Sequence, residues 1–294
     1  MLRVFPFAGI IVICSCVTEP VPAGQTISVG TADYGYLRDA VGLADRGEGY
    51  RRLRPQDRTQ YGTETLVGAI ERAAREVAHA FPTGPPLRVG DLSSHLGGSH
   101  ERHRTHRTGR DADLLFFARD VGGLTTSPDP WLRFDRFGFA ILPGESVRFD
   151  EARNWHLVRS LLMDDEARVK WLFCSNELKV RLLRYAARHE RSPQALVRAT
   201  WVLHQPSRGE PHDDHFHLRV GCGPKERHLG CREQAPHWPW LSDPARKEDS
   251  RASVAANDAG ILRWLFAEEH LDQGSDIARL GLDTAAKPSS IARH

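Results

Sequence analysis

The chain has 294 residues, of which 40% are hydrophobic and 27% are charged. The 40 lysines and arginines nearly balance the 38 aspartates and glutamates, and the lack of a basic excess argues against nucleic acid as a partner. This length and this hydrophobic content suit one domain with a sizeable core, together with shorter appendages.

The amino terminus has the pattern of an export signal. Arg3 precedes a short apolar run that ends near Ile13, and this run is too short to span a membrane comfortably. Cys16 lies in a sequence that resembles a bacterial lipobox, where it would be the acylated residue and provide a lipid anchor. A plain cleaved signal and a lipoprotein signal both remain open. In either case residues 1–24 are predicted to be the signal and tether of an exported chain.

Helices and strands are intermixed in the central part of the chain. Apolar periodicity and capping residues predict helices over residues 65–80 and 153–163 and after the caps Ser175 and Ser192. Strands are predicted over residues 87–92, 111–117 and 169–174 and at the end of the stretch 211–220, whereas residues 50–58 and 124–130 are predicted as turn and loop. Because the order lacks regular βαβ spacing, we expect an α+β fold with a mainly antiparallel sheet.

The composition changes beyond His237. One helix is predicted over residues 252–269, followed by a polar tail. The chain is therefore predicted to contain a signal and tether over 1–24, one catalytic domain over 25–240 and a C-terminal extension over 241–294.

A first cluster of potential metal ligands lies between Ser99 and Asp113. A histidine-rich loop there runs into a predicted buried strand that begins at Asp111. Side chains two residues apart on a strand share a face, so Asp111 and Asp113 are expected to point together while Ala112 packs on the other side. Imidazoles and carboxylates are the ligands of catalytic zinc, which usually takes three from the protein.

A second cluster follows one hundred residues later. His212 precedes a strand in which His215 and His217 share one face, with Phe216 and Leu218 on the other. A His-x-His pair alone is weak evidence for a metal, because fifteen histidines invite chance clustering. Two clusters, each followed by a plausible strand, together predict a metal site assembled across a sheet.

These residues carry a resemblance to a known family. The pattern His103-x-x-His106-x-x-Gly109-x-Asp111-x-Asp113, followed by His212-x-x-His215-x-His217, resembles the penicillin-insensitive murein endopeptidases, peptidase family M74. They belong to the wider LAS group of zinc peptidases, whose shared pattern is His-x(6)-Asp plus His-x-His. The resemblance extends from about residue 50 to residue 222. It implies a single zinc-peptidase domain, flanked by helices and long loops, that cleaves peptide cross-links of periplasmic peptidoglycan, including the D-alanyl–diaminopimelyl bond.

The resemblance also implies roles for individual residues. Zinc would be held by His106, Asp113 and His217, and bound zinc lowers the pKa of water from ~16 toward ~7. His215 and His212 are expected to transfer a proton or to stabilise an oxyanion, and which residue does which stays open.

Further residues are expected to surround this site. Asp111 is expected to orient a ligand imidazole. His103 is a candidate for a second metal, with Asp150 as one further ligand. His95, His100 and His204 are expected either to line the cleft or to be solvated loop residues.

Of the five cysteines, Cys222 and Cys231 bracket a short loop after the His-rich strand. In an oxidising compartment they are a candidate disulfide, and the resemblance places one here. Cys174 is predicted to be a buried thiol.

Two alternative functions remain beside a murein endopeptidase. One is a D-alanyl carboxypeptidase or dipeptidase of the same fold, and the other is a catalytically inactive wall-binding lipoprotein. A serine hydrolase is a poor alternative, because no serine lies in a nucleophile-elbow motif. The sequence does not determine the oligomeric state.

Overall fold

The structure is a computed structural model that describes residues 24–126, 131–142, 145–207 and 209–241. The predicted export signal, with Cys14 and Cys16, and the predicted C-terminal helix and tail lie outside the described residues. Among the described residues, no helix is long and apolar enough to cross a membrane.

The described residues form fifteen short strands and five α-helices, which alternate irregularly along the chain. The strands are β1 (Ile27–Thr31), β2 (Tyr34–Arg38), β3 (Val41–Gly42), β4 (Arg46–Gly47), β5 (Tyr50–Arg52), β6 (Tyr61–Gly62), β7 (Leu87–Val89), β8 (Asp111–Leu115), β9 (Ala118–Asp120), β10 (Thr125–Thr126), β11 (Phe139–Leu142), β12 (Glu145–Phe149), β13 (Val169–Phe173), β14 (Leu203–His204) and β15 (His215–Val220). The helices are α1 (Glu64–Ala80), α2 (Glu151–Met163), α3 (Asn176–His189), α4 (Pro193–Val202) and α5 (Pro224–His228).

A seven-stranded sheet forms the centre of the fold, in the order β14-β13-β15-β8-β7-β5-β4. Neighbouring strands in this sheet are antiparallel, except for two parallel pairs, β13 with β14 and β5 with β7. A four-stranded sheet, β10-β9-β12-β11, and the two-stranded sheets β1-β2 and β3-β6 complete the strands. The predicted α+β fold with a mainly antiparallel sheet is confirmed.

The predicted helices form where their caps place them. The hydroxyl groups of Thr63, Ser175 and Ser192 each accept a hydrogen bond from a backbone N–H in the first turn of α1, α3 and α4. Helix α2 begins two residues earlier than predicted, because the carboxylate of Asp150 accepts a hydrogen bond from the N–H of Arg153. Asp150 is therefore a helix cap in this structure. By sequence it is a candidate ligand of a second metal, but it does not belong to the metal-capable groups among the described residues.

Two segments predicted as irregular contain strands. Tyr50–Arg52 forms β5 and pairs in parallel with β7. The polar sequence of this segment does not predict a strand. Arg52 is nevertheless buried, and its two terminal guanidinium nitrogens donate to Asp45 and to the carbonyl groups of Arg54 and Asp57. In the second segment, residues 125–126 pair with β9, while residues 127–130 lie outside the described residues.

The pairing of β8 with β15 determines which side chains meet on each face of the central sheet. His217 lies opposite Asp113, and Arg219 lies opposite Asp111. The alternate residues of these strands join the hydrophobic core together with the buried faces of α1 and α2; they are Ala112, Leu114, Phe216 and Leu218. One face of the strand pair is thus apolar and covered, and the other carries the histidines and carboxylates.

A disulfide bond joins Cys222 to Cys231 just after β15, and Cys174 is a buried free thiol. The Cα atoms of the bonded pair are 5.9 Å apart. The bond holds the segment after β15 near the β1-β2 hairpin, because Cys231 forms an isolated bridge with Gly30.

We expect the double variant Cys222→Ser/Cys231→Ser to lose about 2–3 kcal/mol of unfolding free energy, because the bond restricts a short loop of the unfolded chain. Urea unfolding of the variant and of the wild type measures the loss. The wild type with added reductant is the matched control and should show the same loss. Two identical unfolding curves for variant and oxidised wild type would contradict the expectation.

Candidate metal centre

The carboxylate of Asp113 lies at the centre of the histidines that the sequence singled out. Its Oδ1 is 3.3 Å from Nε2 of His106, 3.3 Å from Nε2 of His215 and 3.5 Å from Nδ1 of His217, and its Oδ2 is 3.3 Å from Nε2 of His103. The side chain of Asp113 is fully buried. The fold thus brings the two sequence clusters into one site.

The site has the features of a place where a cation binds. Neither carboxylate oxygen of Asp113 has a hydrogen-bond partner of acceptable geometry, and the same holds for Nε2 of His106. Buried polar atoms are normally hydrogen-bonded, so unpaired potential ligand atoms that converge at 3.3 Å have the arrangement of a cation-binding group. Imidazole nitrogens and carboxylate oxygens are the donor set of a zinc site.

The side chains form three groups in which the potential ligand atoms lie within 4.8 Å of one another. They are His103–His106–Asp113, His212–His215–His217 and Asp91–His100–His103. His217 falls in the second group, and its 3.5 Å contact with Asp113 joins that group to the first. The ligand set predicted from sequence therefore spans two adjacent groups.

His106 lies on a loop whose backbone is held by hydrogen bonds. Its Nδ1–H donates to the carbonyl oxygen of Leu92 at 3.0 Å, which leaves the Nε2 lone pair facing Asp113. Its backbone has a φ of 62°, in the left-handed region. The hydroxyl of Ser93 donates to the carbonyl of His106 and accepts from the N–H of Gly109, so it fastens the loop at the strained residue and again three residues later.

His217 is oriented by Asp111 in the way expected of a metal ligand. Its Nε2–H donates to Oδ1 of Asp111 at 2.8 Å, and the Nε group of Arg219 donates to the same oxygen at 2.6 Å. Burial, chiefly, lowers the pKa of His217 to about 3, so the imidazole is neutral at pH 7. The lone pair of Nδ1 is then free and directed toward Asp113.

Asp111 keeps its charge in this buried position. Burial acts to raise the pKa of Asp111, but the charge of Arg219 and the hydrogen bond from His217 outweigh it and hold the pKa well below its usual range. The carboxylate is therefore ionised when it accepts both hydrogen bonds.

His215 lies between two carboxylates. Its Nδ1–H donates to Oδ1 of Asp214 at 2.5 Å, and its Nε2 faces Asp113. Burial opposes the charged imidazolium, but Asp113 and Asp214 together raise the pKa of His215 to about 9. The indole ring of Trp131 packs edge-on against the imidazole, with 5.0 Å between ring centroids.

His212 stands beside His215, with ring centroids 5.0 Å apart. Its Nδ1–H donates to the carbonyl oxygen of Glu210 at 2.9 Å, and burial lowers its pKa. The two histidines expected to handle protons are thus adjacent but held differently, one by a carboxylate and the other by a neutral carbonyl.

Sequence reasoning missed Asp91, which anchors the histidine loop. Its buried carboxylate accepts two hydrogen bonds from Arg102 at 2.8 Å, one from Thr59 at 2.8 Å and one from His103 at 3.0 Å. Burial acts to raise the pKa of Asp91, but His103 and Arg102 hold it far below its usual range. One feature of the sequence could have indicated Asp91. It follows the short strand β7 by two residues, at the edge of the sheet where β8 also presents its carboxylates.

The remaining histidines have different environments. The Nδ1 of His100 accepts from the N–H of Arg102 at 3.2 Å, and burial lowers the pKa of His100 to about 4. His95 is exposed and packs edge-on against Tyr61, and the ring of His204 lies 5.1 Å from that of Trp171. Neither His95 nor His204 belongs to the metal-capable groups among the described residues.

We expect Asp91→Asn to lower the unfolding free energy by about 2–3 kcal/mol at pH 7, because the charged acceptor of Arg102 and His103 is lost. The depressed pKa means that the carboxylate stabilises the fold fully above its unfolded pKa of about 3.9 and progressively less below it. Since Asn does not ionise, the difference from wild type should stay constant from pH 7 to about 4 and shrink as the pH falls further to 3.

Urea unfolding at several pH values, with chelator present throughout, measures this difference. Asp39→Asn, at an exposed position, is the matched control and should show no such pH-dependent difference. A difference between Asp91→Asn and wild type that stays constant from pH 7 to pH 3 would contradict the role given to the Asp91 charge.

Comparison with known proteins agrees with this site. Residues 28–243 match the family described as penicillin-insensitive murein endopeptidase. A penicillin-insensitive murein endopeptidase of Haemophilus influenzae is 27% identical over 227 residues, which cover 75% of this chain and 72% of that relative. A protein of the same name from Escherichia coli O1:K1 is 33% identical over 100 residues, which cover 34% of this chain and 35% of that relative.

Proposed function

The chain belongs to the family of penicillin-insensitive murein endopeptidases, and on this premise we propose that it is a zinc-dependent endopeptidase that hydrolyses peptide cross-links of peptidoglycan. The observation that carries the zinc dependence is the buried carboxylate of Asp113. It faces histidines on several sides and has no hydrogen-bond partner. Such a group is an anionic ligand for a cation, and imidazole nitrogens, the other usual zinc ligands, converge on it.

The proposed ligands are Nε2 of His106, the carboxylate of Asp113 and Nδ1 of His217. The other ring nitrogen of each histidine already donates a hydrogen bond, to Leu92 and to Asp111 respectively, so the lone pairs are aimed before any ion binds. When bound, zinc would polarise the scissile carbonyl and lower the pKa of a water molecule to about 7. Asp111 would keep His217 in the tautomer that leaves Nδ1 free.

His215 is the proposed proton carrier. Its Nδ1–H is held by Asp214, so its Nε2 is directed at the space beside Asp113. From there Nε2 would take a proton from the attacking water and deliver it to the departing amine. A cation beside Asp113 would offset part of the negative charge that now raises the pKa of His215. His212 is adjacent and would stabilise the oxyanion or share the proton transfer.

The proposed bond is the D-alanyl–diaminopimelyl cross-link, which is the substrate that family membership suggests. The proposed location is the periplasm. Residues 1–24 would be the export signal, with Cys16 acylated if the signal is of the lipoprotein type, and residues 25–240 would be the catalytic domain.

We expect His106→Ala, Asp113→Ala and His217→Ala each to lose bound zinc and activity together, because each removes one of three ligands. Elemental analysis and muropeptide release, measured on the same preparations, give the two quantities. His95→Ala, an exposed histidine outside the metal-capable groups, is the matched control and should keep both. A variant that retains one zinc per chain at wild-type affinity would remove that residue from the ligand set.

We expect His215→Ala to keep its zinc and its folding but to lose turnover by roughly 10²–10⁴-fold, the usual contribution of an acid–base group. His212→Ala should show a smaller loss of turnover. Mass spectrometry of products from cross-linked and uncross-linked muropeptides measures turnover and separates an endopeptidase from a carboxypeptidase. Loss of zinc from His215→Ala as complete as from His217→Ala would contradict this division of roles.

A further inference from the structure

A cavity of about 250 Å³ lies beside the metal centre, where strand β15 continues past His217. Arg110 and Arg219 line it, and the rest of its walls comes from four further segments that are distant in sequence. They are the β1-β2 turn at residues 31–33, residues 104–105 of the histidine loop, residues 170–171 of β13 and residues 232–235 after the disulfide. The cavity is therefore a product of the tertiary fold and has no sequence motif of its own.

The lining of this cavity is strongly cationic. Five basic side chains line it, against two carboxylates; the basic residues are Arg104, Arg110, Lys170, Arg219 and Arg232. Both carboxylates also have hydrogen-bond partners of their own, and the lining keeps an excess of basic over acidic residues. Asp33 accepts from the hydroxyl of Thr31 at 2.7 Å, and Glu233 lies 3.2 Å from Arg227, which does not line the cavity, and accepts from the N–H of Cys222.

Two of the basic residues are buried and, among the described residues, have no carboxylate in direct contact; burial lowers the pKa of both more than nearby carboxylates raise it. Arg110 is 2% exposed and donates to the hydroxyl of Ser28 and to the carbonyl groups of Gly30 and Arg232. Lys170 is 3% exposed and donates to the carbonyl of Pro236. Neutral acceptors satisfy the N–H groups but do not cancel the charge, so an anion in the cavity would offset the cost of burying these cations.

The cavity lies within reach of the proposed reacting groups. Arg219 is two residues from His217 on the same face of β15, a step of about 7 Å. The two side chains donate to the same oxygen of Asp111. Arg104, which also lines the cavity, is two residues from His106 in the chain. A substrate group bound in this cavity would therefore belong to a substrate residue that takes part in the scissile bond.

We propose that this cavity binds the free carboxylate of the diaminopimelyl residue on the leaving side of the cross-link. This proposal rests on the endopeptidase function proposed above. In a D-alanyl–diaminopimelyl bond, the carbon that carries the scissile nitrogen also carries a free carboxylate, so a negative charge sits next to the bond. Arginine binds carboxylates through paired charge-assisted hydrogen bonds. The indole of Trp171 would supply an apolar wall for the methylene chain of the same residue.

The test compares two cross-linked peptide dimers that differ only at this carboxylate, which is a free acid in one and a primary amide in the other. The zinc-loaded wild type should cleave the acid with a kcat/KM about 10- to 100-fold higher, mainly through KM, as expected for charge-assisted hydrogen bonds. In the double variant Arg104→Gln/Arg232→Gln this preference should fall to a few-fold or less. Both side chains are exposed, so folding should be unaffected.

The matched control is Arg75→Gln/Arg188→Gln, which removes two exposed arginines from the helices α1 and α3 and should keep the full preference for the acid. A second readout needs no turnover. Calorimetric titration of the wild type with the released stem peptide, as acid and as amide, should show the same order of affinity.

Cleavage of both dimers with equal kcat/KM and equal affinity for both stem peptides would overturn this proposal while leaving the endopeptidase function in place. An undiminished preference for the acid in Arg104→Gln/Arg232→Gln would also overturn it. If the wild type cleaved neither dimer, the endopeptidase function would fall. The calorimetric pair would then decide the role of the cavity alone, with tighter binding of the acid supporting it and equal binding refuting it.

Discussion

The antiparallel pairing of β8 with β15 is the constraint on which the metal centre depends. In the observed register Asp113 faces His217 and Asp111 faces Arg219, so the two sequence motifs meet side by side. A slip of one residue would turn Phe216 toward the site and place the histidines in the apolar layer under α1 and α2. The buried alternate residues of both strands oppose that slip, because it would expose them to water. The hydrophobic core therefore fixes the register, and the register fixes the site.

Three carboxylates are buried within this small region, and their partners distinguish their roles. Asp91 is neutralised by Arg102 and Asp111 by Arg219, and each accepts hydrogen bonds of good geometry. Asp113 is surrounded only by histidines at 3.3–3.5 Å and has no such bond. A buried carboxylate with an arginine is complete as it stands and can act as an anchor. A buried carboxylate surrounded by imidazoles instead of an arginine has the donor set of a metal site, and this difference is why Asp113 is the ligand proposed above.

The sequence predicted those parts of the site that depend on local geometry. Strand alternation is a property of neighbouring residues, so the shared face of Asp111 with Asp113 and of His215 with His217 followed from spacing alone. The caps Ser175 and Ser192 were equally local. The contacts of Asp91 were not predictable in this way, because they join positions as distant as Arg54 and Arg102. The sequence also could not determine the role of Asp150. A carboxylate suits a helix cap as well as a metal site, and only the tertiary structure shows that Asp150 caps α2.

The two halves of the centre differ in what holds them. The half on β8 and β15 takes its precision from a central sheet, whereas His106 lies on a loop with a left-handed backbone. That loop is fixed by hydrogen bonds of Ser93 to His106 and Gly109, and by Asp91 through Arg102. Such fastening offsets the strain at His106 and holds its Nε2, the proposed ligand atom, in a fixed position. Because Arg104 belongs to the same loop, the network that positions His106 also positions one wall of the cationic cavity. One segment therefore positions both a proposed metal ligand and a basic residue of the proposed substrate cavity.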